Sequence, residues 1–310
     1  MSLMLLGILN AQVAGIAGSV AGYVSGGTDG SEVATVDKFA FPSDSRTTLG
    51  TGLSSARRQS AGMSNPSVAG YNGGGTTGSY VSTVDKFAFP GDTRSTLGTG
   101  LSLARDGVSG FSNNGVAGYA AGGRDGTGTY NRVDKFAFPG DSRSTLGTGL
   151  SSARRGGAGF SNSTVAGYVA GGDLDFGTQV STLNKFTFPS DSQSTLGTGL
   201  SGARAFAGGF YNTGVAGYAA GGSSGPVSAI VDKFAFPSDS RTTLGTGLSA
   251  ARYTPAGFSN LGVAGYAAGG NTGSATSAVD KFAFPSDTRS TLGTGLSSAR
   301  YDAVGFQNGA

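Results

Sequence analysis

The acidic side chains come nearest to catalytic chemistry in this sequence, because it contains no histidine and no cysteine. Those absences remove the usual general base, the commonest metal ligand and the thiolate nucleophile. Asp173 and Asp175 form one D-x-D pair, and Asp29 lies in another part of the chain. Calcium needs about six to eight oxygens gathered in one loop, so this pair does not predict a metal site.

A hydrolase would have to use the same few carboxylates. Glycoside hydrolysis needs two carboxyl groups, and Glu32 has no partner acid at a repeated position. A polysaccharide hydrolase would therefore depend on Asp173 and Asp175. We predict that the chain is not an enzyme and that it uses neither a cofactor nor a metal. The hydrolase is kept as the third functional hypothesis.

Six arginines recur at one position of a repeated pattern, S-x-A-R or its equivalent. They are Arg57, Arg105, Arg154, Arg204, Arg252 and Arg300. We expect each arginine to tie its repeat to the next through hydrogen bonds to backbone carbonyls, since repeated charges in repeat proteins are usually structural. The alternative is that the six arginines ring a central channel and bind an anion.

Charge is nearly balanced, at 21 basic and 18 acidic residues, and most of it sits at fixed repeat positions. A pI near 9.1 therefore does not indicate a nucleic-acid-binding patch. Six lysines, from Lys38 to Lys281, lie on one strand-like run of each repeat. We expect them to point outward, where they would favour solubility and protect sheet edges.

The elements that position these side chains come from a unit of about 48 residues that occurs six times. Copies of V-A-G-Y begin at Val20, Val68, Val116, Val165, Val215 and Val263. Copies of V-D-K-F-A-F-P or its variant begin at Val36, Val84, Val133, Leu183, Val231 and Val279. The spacing from this segment to the repeat arginine is always 21 residues, and from the arginine to the next V-A-G-Y it is always 11. All length variation falls between the Gly-Gly pair and V-D-K, which is typical of a surface loop.

Each unit holds four strand-like runs, here called A (A-G-F-S-N), B (V-A-G-Y-A-A-G-G), C (V-D-K-F-A-F-P) and D (R-S-T-L-G-T-G-L). This pattern predicts an all-β fold, a six-bladed β-propeller of four-stranded blades. In strand C, Phe39 and Phe41 fall on one face and are expected to pack between blades. The aspartates of the turn between strands C and D are expected to cap their own backbone. They are Asp44, Asp92, Asp141, Asp191, Asp239 and Asp287.

The order of these features across residues 20–310 resembles the kelch repeat. A diglycine such as Gly26-Gly27, Gly122-Gly123 or Gly269-Gly270 is followed by a variable loop, hydrophobic-Asp-x-aromatic, a turn, a strand and Ala-Arg. The resemblance implies a propeller. The chain departs from it in having no tryptophan, where kelch blades usually carry one in the outer strand.

The chain begins its repeats on strand B and ends on strand A, at residues 303–308. The last strand is therefore expected to complete the first blade, which would leave no open edge between the termini. The predicted organisation is an apolar N-terminal anchor or extra strand over 1–19 and a propeller over 20–310. Residues 1–19 have no basic residue before their apolar run, and Asn10 and Gln12 interrupt it, so neither a secretory signal nor a membrane span is expected.

In a four-stranded blade, the B-to-C and D-to-A connections emerge on the same side of the disc. Variable side chains cluster in these connections, which is how a constant frame presents a recognition surface, although drift in unconstrained loops would look the same. The candidates are Asp29, Glu32, Tyr80, Arg124, Tyr130, Arg132, Asp173, Asp175 and Phe176 from the B-to-C loops, and Arg58, Asp106, Arg155, Phe206, Tyr253 and Tyr301 from the D-to-A segments.

The near-identity of the blades and the apolar N-terminus resemble repeat proteins encoded by tailed phages, particularly marine ones. This resemblance implies a virion protein, and six nearly equal blades would suit a sixfold axis. The first hypothesis is a virion decoration or appendage protein, attached to other virion proteins or to itself through residues 1–19. Its variable face would bind a host-surface glycan or protein. The second is a free lectin-like or protein-docking propeller of a bacterium, extracellular or cytoplasmic.

Overall fold

The computed structural model describes residues 20–175 and 177–309, and all regular structure in these ranges is β-strand. The strands are β1 (Ala21–Ser25), β2 (Val36–Ala40), β3 (Ser45–Thr48), β4 (Ala61–Asn65), β5 (Ala69–Gly73), β6 (Val84–Ala88), β7 (Thr93–Thr96), β8 (Ser109–Asn113), β9 (Ala117–Ala121), β10 (Arg124–Asp125), β11 (Gly128–Thr129), β12 (Val133–Ala137), β13 (Ser142–Thr145), β14 (Ala158–Asn162), β15 (Ala166–Asp173), β16 (Gln179–Thr187), β17 (Ser192–Thr195), β18 (Gly208–Asn212), β19 (Ala216–Ala220), β20 (Val231–Ala235), β21 (Ser240–Thr243), β22 (Ala256–Asn260), β23 (Ala264–Ala268), β24 (Val279–Ala283), β25 (Thr288–Thr291) and β26 (Val304–Asn308). Within these ranges no helix is long and apolar enough to cross a membrane.

The strands form six four-stranded sheets arranged as a six-bladed β-propeller, with strand A innermost in every blade. The inner strands β4, β8, β14, β18, β22 and β26 each contact the next around a ring. Blade one takes its inner strand from the C-terminal end of the chain, where Val304 pairs with Ser25 and Asn308 with Ala21. The predicted fold and the predicted closure of the ring are both confirmed.

Aromatic stacking between blades explains the glycine of V-A-G-Y. Phe111, on the inner strand of blade three, stacks on Tyr119 of its own blade and on Phe186 of blade four, with ring centroids 4.8 and 5.3 Å apart. The Phe111 ring also lies directly against Gly167 of blade four, where a Cβ atom would overlap it. A side chain at this glycine would therefore push the two blades apart.

The phenylalanines of strand C pack at the same interfaces. Phe39 and Phe41 of blade one lie 5.5 and 6.5 Å from the Phe258 ring of blade six, measured between centroids. Their predicted position between blades is confirmed.

A tyrosine, a lysine and an aspartate bind each blade to the next. Lys38 Nζ lies 2.7 Å from Asp92 of the following blade and 5.6 Å from the centroid of the Tyr23 ring, whose hydroxyl also donates to Asp92. The equivalent clusters are Tyr71–Lys86–Asp141, Tyr119–Lys135–Asp191, Tyr168–Lys185–Asp239, Tyr218–Lys233–Asp287 and Tyr266–Lys281–Asp44. Two predictions were therefore wrong. The lysines form ion pairs with the next blade instead of pointing freely outward. The turn aspartates accept hydrogen bonds from the preceding blade instead of capping their own backbone. In the first turn Ser43 caps the backbone instead, accepting from the N–H of Ser45.

Each repeat arginine is buried where the chain enters a new blade. Arg57 lies 3.0 Å from the Asp85 carboxylate and donates to the carbonyl oxygen of Asn72 at 3.0 Å. The equivalent ion pairs are Arg105–Asp134, Arg204–Asp232, Arg252–Asp280 and Arg300–Asp37. The expected carbonyl bonds are confirmed for these five arginines. The anion-binding ring is excluded, because all six guanidinium groups are enclosed by protein.

Candidate functional site on the loop face

The B-to-C loops and the D-to-A segments meet on one side of the disc, which we call the loop face. Short bridges join the two kinds of segment at every junction: Thr28 with Tyr301, Arg58 with Thr76, Asp106 with Arg124, Arg155 with Asp173, Ala205 with Ser223, and Tyr253 with Asn271. Because the bridges recur in each blade, side chains from both segments form one surface around the propeller axis.

The part of the loop face formed by blades one to four carries three ion pairs. They are Arg58–Glu32, Arg124–Asp106 and Arg155–Asp173, each with an N···O distance of 3.4 Å. Asp106 is buried, and burial raises the pKa of its carboxyl against the opposing effect of Arg124. These charges are matched within the face, so it does not present a field of one sign.

The B-to-C loop of blade three adds the small β10–β11 hairpin to this surface. Asp125 accepts from Thr127 at 2.7 Å and from the Tyr130 hydroxyl at 2.8 Å, and these bonds lower the pKa of its carboxyl. Arg132 is exposed, and Tyr80, from blade two, is half-buried. The hydrogen bond from its hydroxyl to Asp125 holds the Tyr130 side chain in place.

Three aromatic side chains lie on the rest of the loop face: Phe206, Tyr253 and Tyr301. The Tyr253 and Tyr301 rings are tilted, with centroids 6.3 Å apart, and both are half-buried. Burial and the nearby Asp302 carboxyl raise the pKa of Tyr253. Phe206 lies beneath the guanidinium of Arg155, which is 5.2 Å from the ring centroid. The face is therefore asymmetric although the frame beneath it is regular.

The acids on which a hydrolase would depend do not act together in the structure. Asp173 is buried and paired with Arg155, whereas Asp175 and Asp29 are exposed. Phe176 lies outside the described residues. Within residues 20–175 and 177–309, no group of three acidic side chains is placed to hold a metal ion.

Sequence reasoning missed most of the side chains nearest the axis. They lie two residues after each repeat arginine, at Gln59, Gly107, Gly156, Phe206, Thr254 and Asp302. All six have left-handed backbone, with φ between 53° and 63°. This conformation suits glycine and costs other residues on the order of 1 kcal/mol. The available signal was a constant spacing from the arginine combined with a residue that changes in nearly every blade.

A chain of hydrogen bonds links these six residues around the axis. The N–H of Gly107 donates to the Gln59 carbonyl at 2.8 Å, and the series continues through the carbonyls of Gly107, Gly156 and Phe206. Gln59 N–H donates to the Asp302 carbonyl at 2.9 Å. The ring is completed by a side chain, since Asp302 N–H donates to Thr254 Oγ1 at 3.1 Å. Each of the six residues is thereby hydrogen-bonded to its neighbours in the ring on both sides.

A cavity of about 110 Å³ lies inside this ring, on the axis, and we call it the axial cup. Its walls include Gln59, Phe206, Thr254 and Asp302. Its lower rim is formed by one glycine from each inner strand: Gly62, Gly110, Gly159, Gly209, Gly257 and Gly305. A Cβ at any of them would overlap the carbonyl oxygen of the neighbouring glycine, so the six strands approach backbone to backbone.

Beneath the glycines, two side chains from different blades meet near the axis. The Tyr211 hydroxyl, from blade five, accepts from Gln307 Nε2 of blade one at 2.8 Å. Tyr211 therefore reaches past blade six to blade one, and it is buried. The axial cup therefore lies between this pair of side chains and the loop face, on which it opens.

Asp302 is the titratable group of the cup. It is 5 % exposed, and burial raises the pKa of its carboxyl to about 6 although Gln59 and Arg58 oppose the shift. Its Oδ2 accepts from Gln59 Nε2 at 3.0 Å and lies 3.8 Å from Arg58 Nη1. Its Oδ1 is buried without a hydrogen-bond donor from the protein.

Comparison with known proteins establishes the fold alone. No family model matches the sequence, and no curated protein matches it. Among solved structures, the fold is similar to the one titled "Structure of YjhT", with a TM-score of 0.67 over 90% of this chain and 98% of that chain. The sequences are 14% identical, so the likeness concerns the six-bladed architecture.

Proposed function

We propose that the chain is a non-catalytic virion structural or appendage protein, such as a decoration, tail or fibre module. The loop face would bind a host surface or another virion protein. The observation that carries the proposal is the length variation of this face: repeat lengths differ only in the B-to-C loops, and the side chains of these loops and of the D-to-A segments differ between blades. A constant frame with one variable, aromatic-bearing face is typical of a recognition scaffold.

The opposite face supports attachment to a symmetric partner, because an exposed valine recurs there in every blade. Six valines at the start of strand B are 45 to 59 % exposed there: Val20, Val68, Val116, Val165, Val215 and Val263. An apolar contact repeated six times around an axis suits a partner with six equivalent sites, such as a capsomer or tail ring. Residues 1–19, the proposed anchor, join the described chain at Val20.

The kelch-like order of the repeat and the near-identity of the blades add support by resemblance. G-T-G-L-S occurs in all six blades, and this near-identity resembles the repeat proteins encoded by tailed phages. The alternative is a free lectin-like or protein-docking propeller of a bacterium. That protein would use the same loop face but would not be bound to a particle.

Particle association tests the proposal. Virions from the source culture are banded on a density gradient, and the chain is quantified by mass spectrometry in the particle band and in the soluble fraction. Enrichment in the band together with major virion proteins is expected. Recovery in the soluble fraction alone would overturn the virion assignment in favour of the free propeller. The control is a cytoplasmic protein of the same culture, which should be absent from the band.

A further inference from the structure

The axial cup has the two kinds of wall that a sugar ring requires. Phe206 and Pro255 supply apolar surface, whereas Gln59, Thr254 and Asp302 supply polar groups. Gln59 and Phe206 lie three junctions apart in the ring of six, so the polar and apolar sides face each other across the axis. Ligand sites of this kind combine an apolar wall with a few converging polar atoms.

Glycines make room for the Phe206 side chain at the rim. A Cβ at Gly156 would lie 2.6 Å from the Phe206 ring, and one at Gly107 would lie 2.9 Å from the Arg155 side chain. Both glycines have the left-handed backbone shared by the whole ring. Small residues on one side of the ring therefore allow a large aromatic side chain to line the cup.

The unpaired oxygen of Asp302 indicates where a ligand would be held. This residue is 95 % buried and lines the cup, yet no protein group donates to its Oδ1. Buried acceptors are normally paired. Because Oδ1 has almost no accessible surface of its own, the Asp302 side chain would turn slightly toward the cup to accept a hydrogen bond from a ligand there. Its other oxygen is already bonded to Gln59 and lies near Arg58.

Charge and size select the kind of donor. Arg155, close to the cup, is already paired with Asp173. Arg58 lies near Glu32 and partly balances the Asp302 charge, so the cup does not require a charged ligand. A neutral hydroxyl group can donate a hydrogen bond to Asp302 Oδ1 without adding a charge to the cup. A cavity of about 110 Å³ is comparable with the roughly 150 Å³ cavity that admits one benzene ring, so it has room for about one six-membered ring.

We propose that the axial cup binds one neutral sugar unit, with a hydroxyl donating to Asp302 Oδ1 and the C–H face of the ring against Phe206. This inference rests on the proposed display function and adds its ligand class. Tyr253 and Tyr301 lie on the same face, one residue before Thr254 and Asp302, where they would contact the next unit of a glycan.

The test is saturation-transfer-difference NMR and calorimetry of the full chain with methyl glycosides of neutral hexoses and 6-deoxyhexoses. Binding with a Kd in the millimolar range is expected for so small a site. Asp302→Asn and Phe206→Ala should each weaken it at least about tenfold. Asp175→Asn, which alters an exposed acid on the same face, should leave it unchanged. Circular dichroism and Tm establish that each variant is folded.

Three results would overturn the inference. They are binding of none of the glycosides, binding unaffected by both cup variants, and preferential binding of a primary amine such as methylamine, used as the cation probe. Any of these would leave the proposed function intact, because that depends on particle association and on the loop face as a whole. Conversely, sugar binding by a chain absent from virions would support the cup and refute the virion role.

Discussion

Arg154 donates to the amide oxygen of Asn184 at 2.7 Å, at the position where the other five blades each pair an arginine with an aspartate. Blade four therefore holds a buried guanidinium without a carboxylate. Burial lowers the pKa of Arg154 to about 10. A buried charge that lacks its counter-charge destabilises the folded state.

Asn184→Asp is expected to stabilise the protein by about 1–3 kcal/mol, because it restores the missing ion pair. Ser151 and Thr195, which now accept from the Asn184 amide, can turn their hydroxyls to donate, as their equivalents do in the other blades. Chemical denaturation at pH 7 measures the change. The matched control is Asp232→Asn in blade five, which should destabilise. Equal stability of the Asn184→Asp variant and the parent would contradict the assignment.

The glycine of V-A-G-Y is expected to be indispensable at each blade interface where a phenylalanine faces it. Gly167→Ala would drive a methyl group into the Phe111 ring, at an estimated cost of about 3 kcal/mol or more. Gly118→Ala is the matched control, since its Cβ would meet the flexible Met63 side chain, with the sulfur 2.9 Å away. We expect a clearly lower Tm for Gly167→Ala than for Gly118→Ala, and similar Tm values would argue against this packing.

The architecture was predictable because the same order of strands and turns occurs six times in the sequence. Constant spacings of 21 and 11 residues fixed the strands, and a start on strand B with an end on strand A fixed the closure. The partners of charged side chains were not predictable in this way. Lys38 looks like an exposed strand residue, but its partner Asp92 lies 54 positions away in the next blade.

The residues of the candidate site were likewise predictable only in part. Arg58, Tyr253 and Tyr301 were found because variable loops stand out against identical repeats. Asp302 was missed because its burial depends on six D-to-A segments converging on the axis, which no single repeat reveals.

Acid should unfold the protein chiefly through the aspartates of the arginine pairs. Burial opposes their charged form, but hydrogen bonds and the arginines outweigh it and lower the pKa of Asp37, Asp85, Asp134, Asp232 and Asp280 below 3.8. Carboxyls with a lowered native pKa contribute stability above the unfolded value and lose it as the pH falls through the native value. Urea unfolding should therefore show a steep loss below about pH 4. A loss that is already complete at pH 5 would point to other groups.

Asp302 should have the opposite pH dependence. Its native pKa of about 6 lies above the ordinary 3.8, so the native state binds more protons between these values and stability falls as the pH rises through them. The charged groups near its carboxyl are Arg58, Asp106 and the ionisable Tyr253. Asp302→Asn should stabilise by on the order of 2 kcal/mol at pH 7.5 and by little at pH 4. The same gain at both values would show that the carboxyl does not titrate as described.

Recognition by the loop face is the central claim of the proposed function. The direct measurement is binding of the labelled full chain to intact cells of the source culture, for the parent and two double variants. Tyr253→Ser with Tyr301→Ser alters the loop face, whereas Val116→Ser with Val165→Ser alters the opposite face, which carries the exposed valines. We expect the tyrosine variant to lose at least about tenfold in affinity and the valine variant to bind like the parent. Loss of cell binding in the valine variant with full binding by the tyrosine variant would contradict the account.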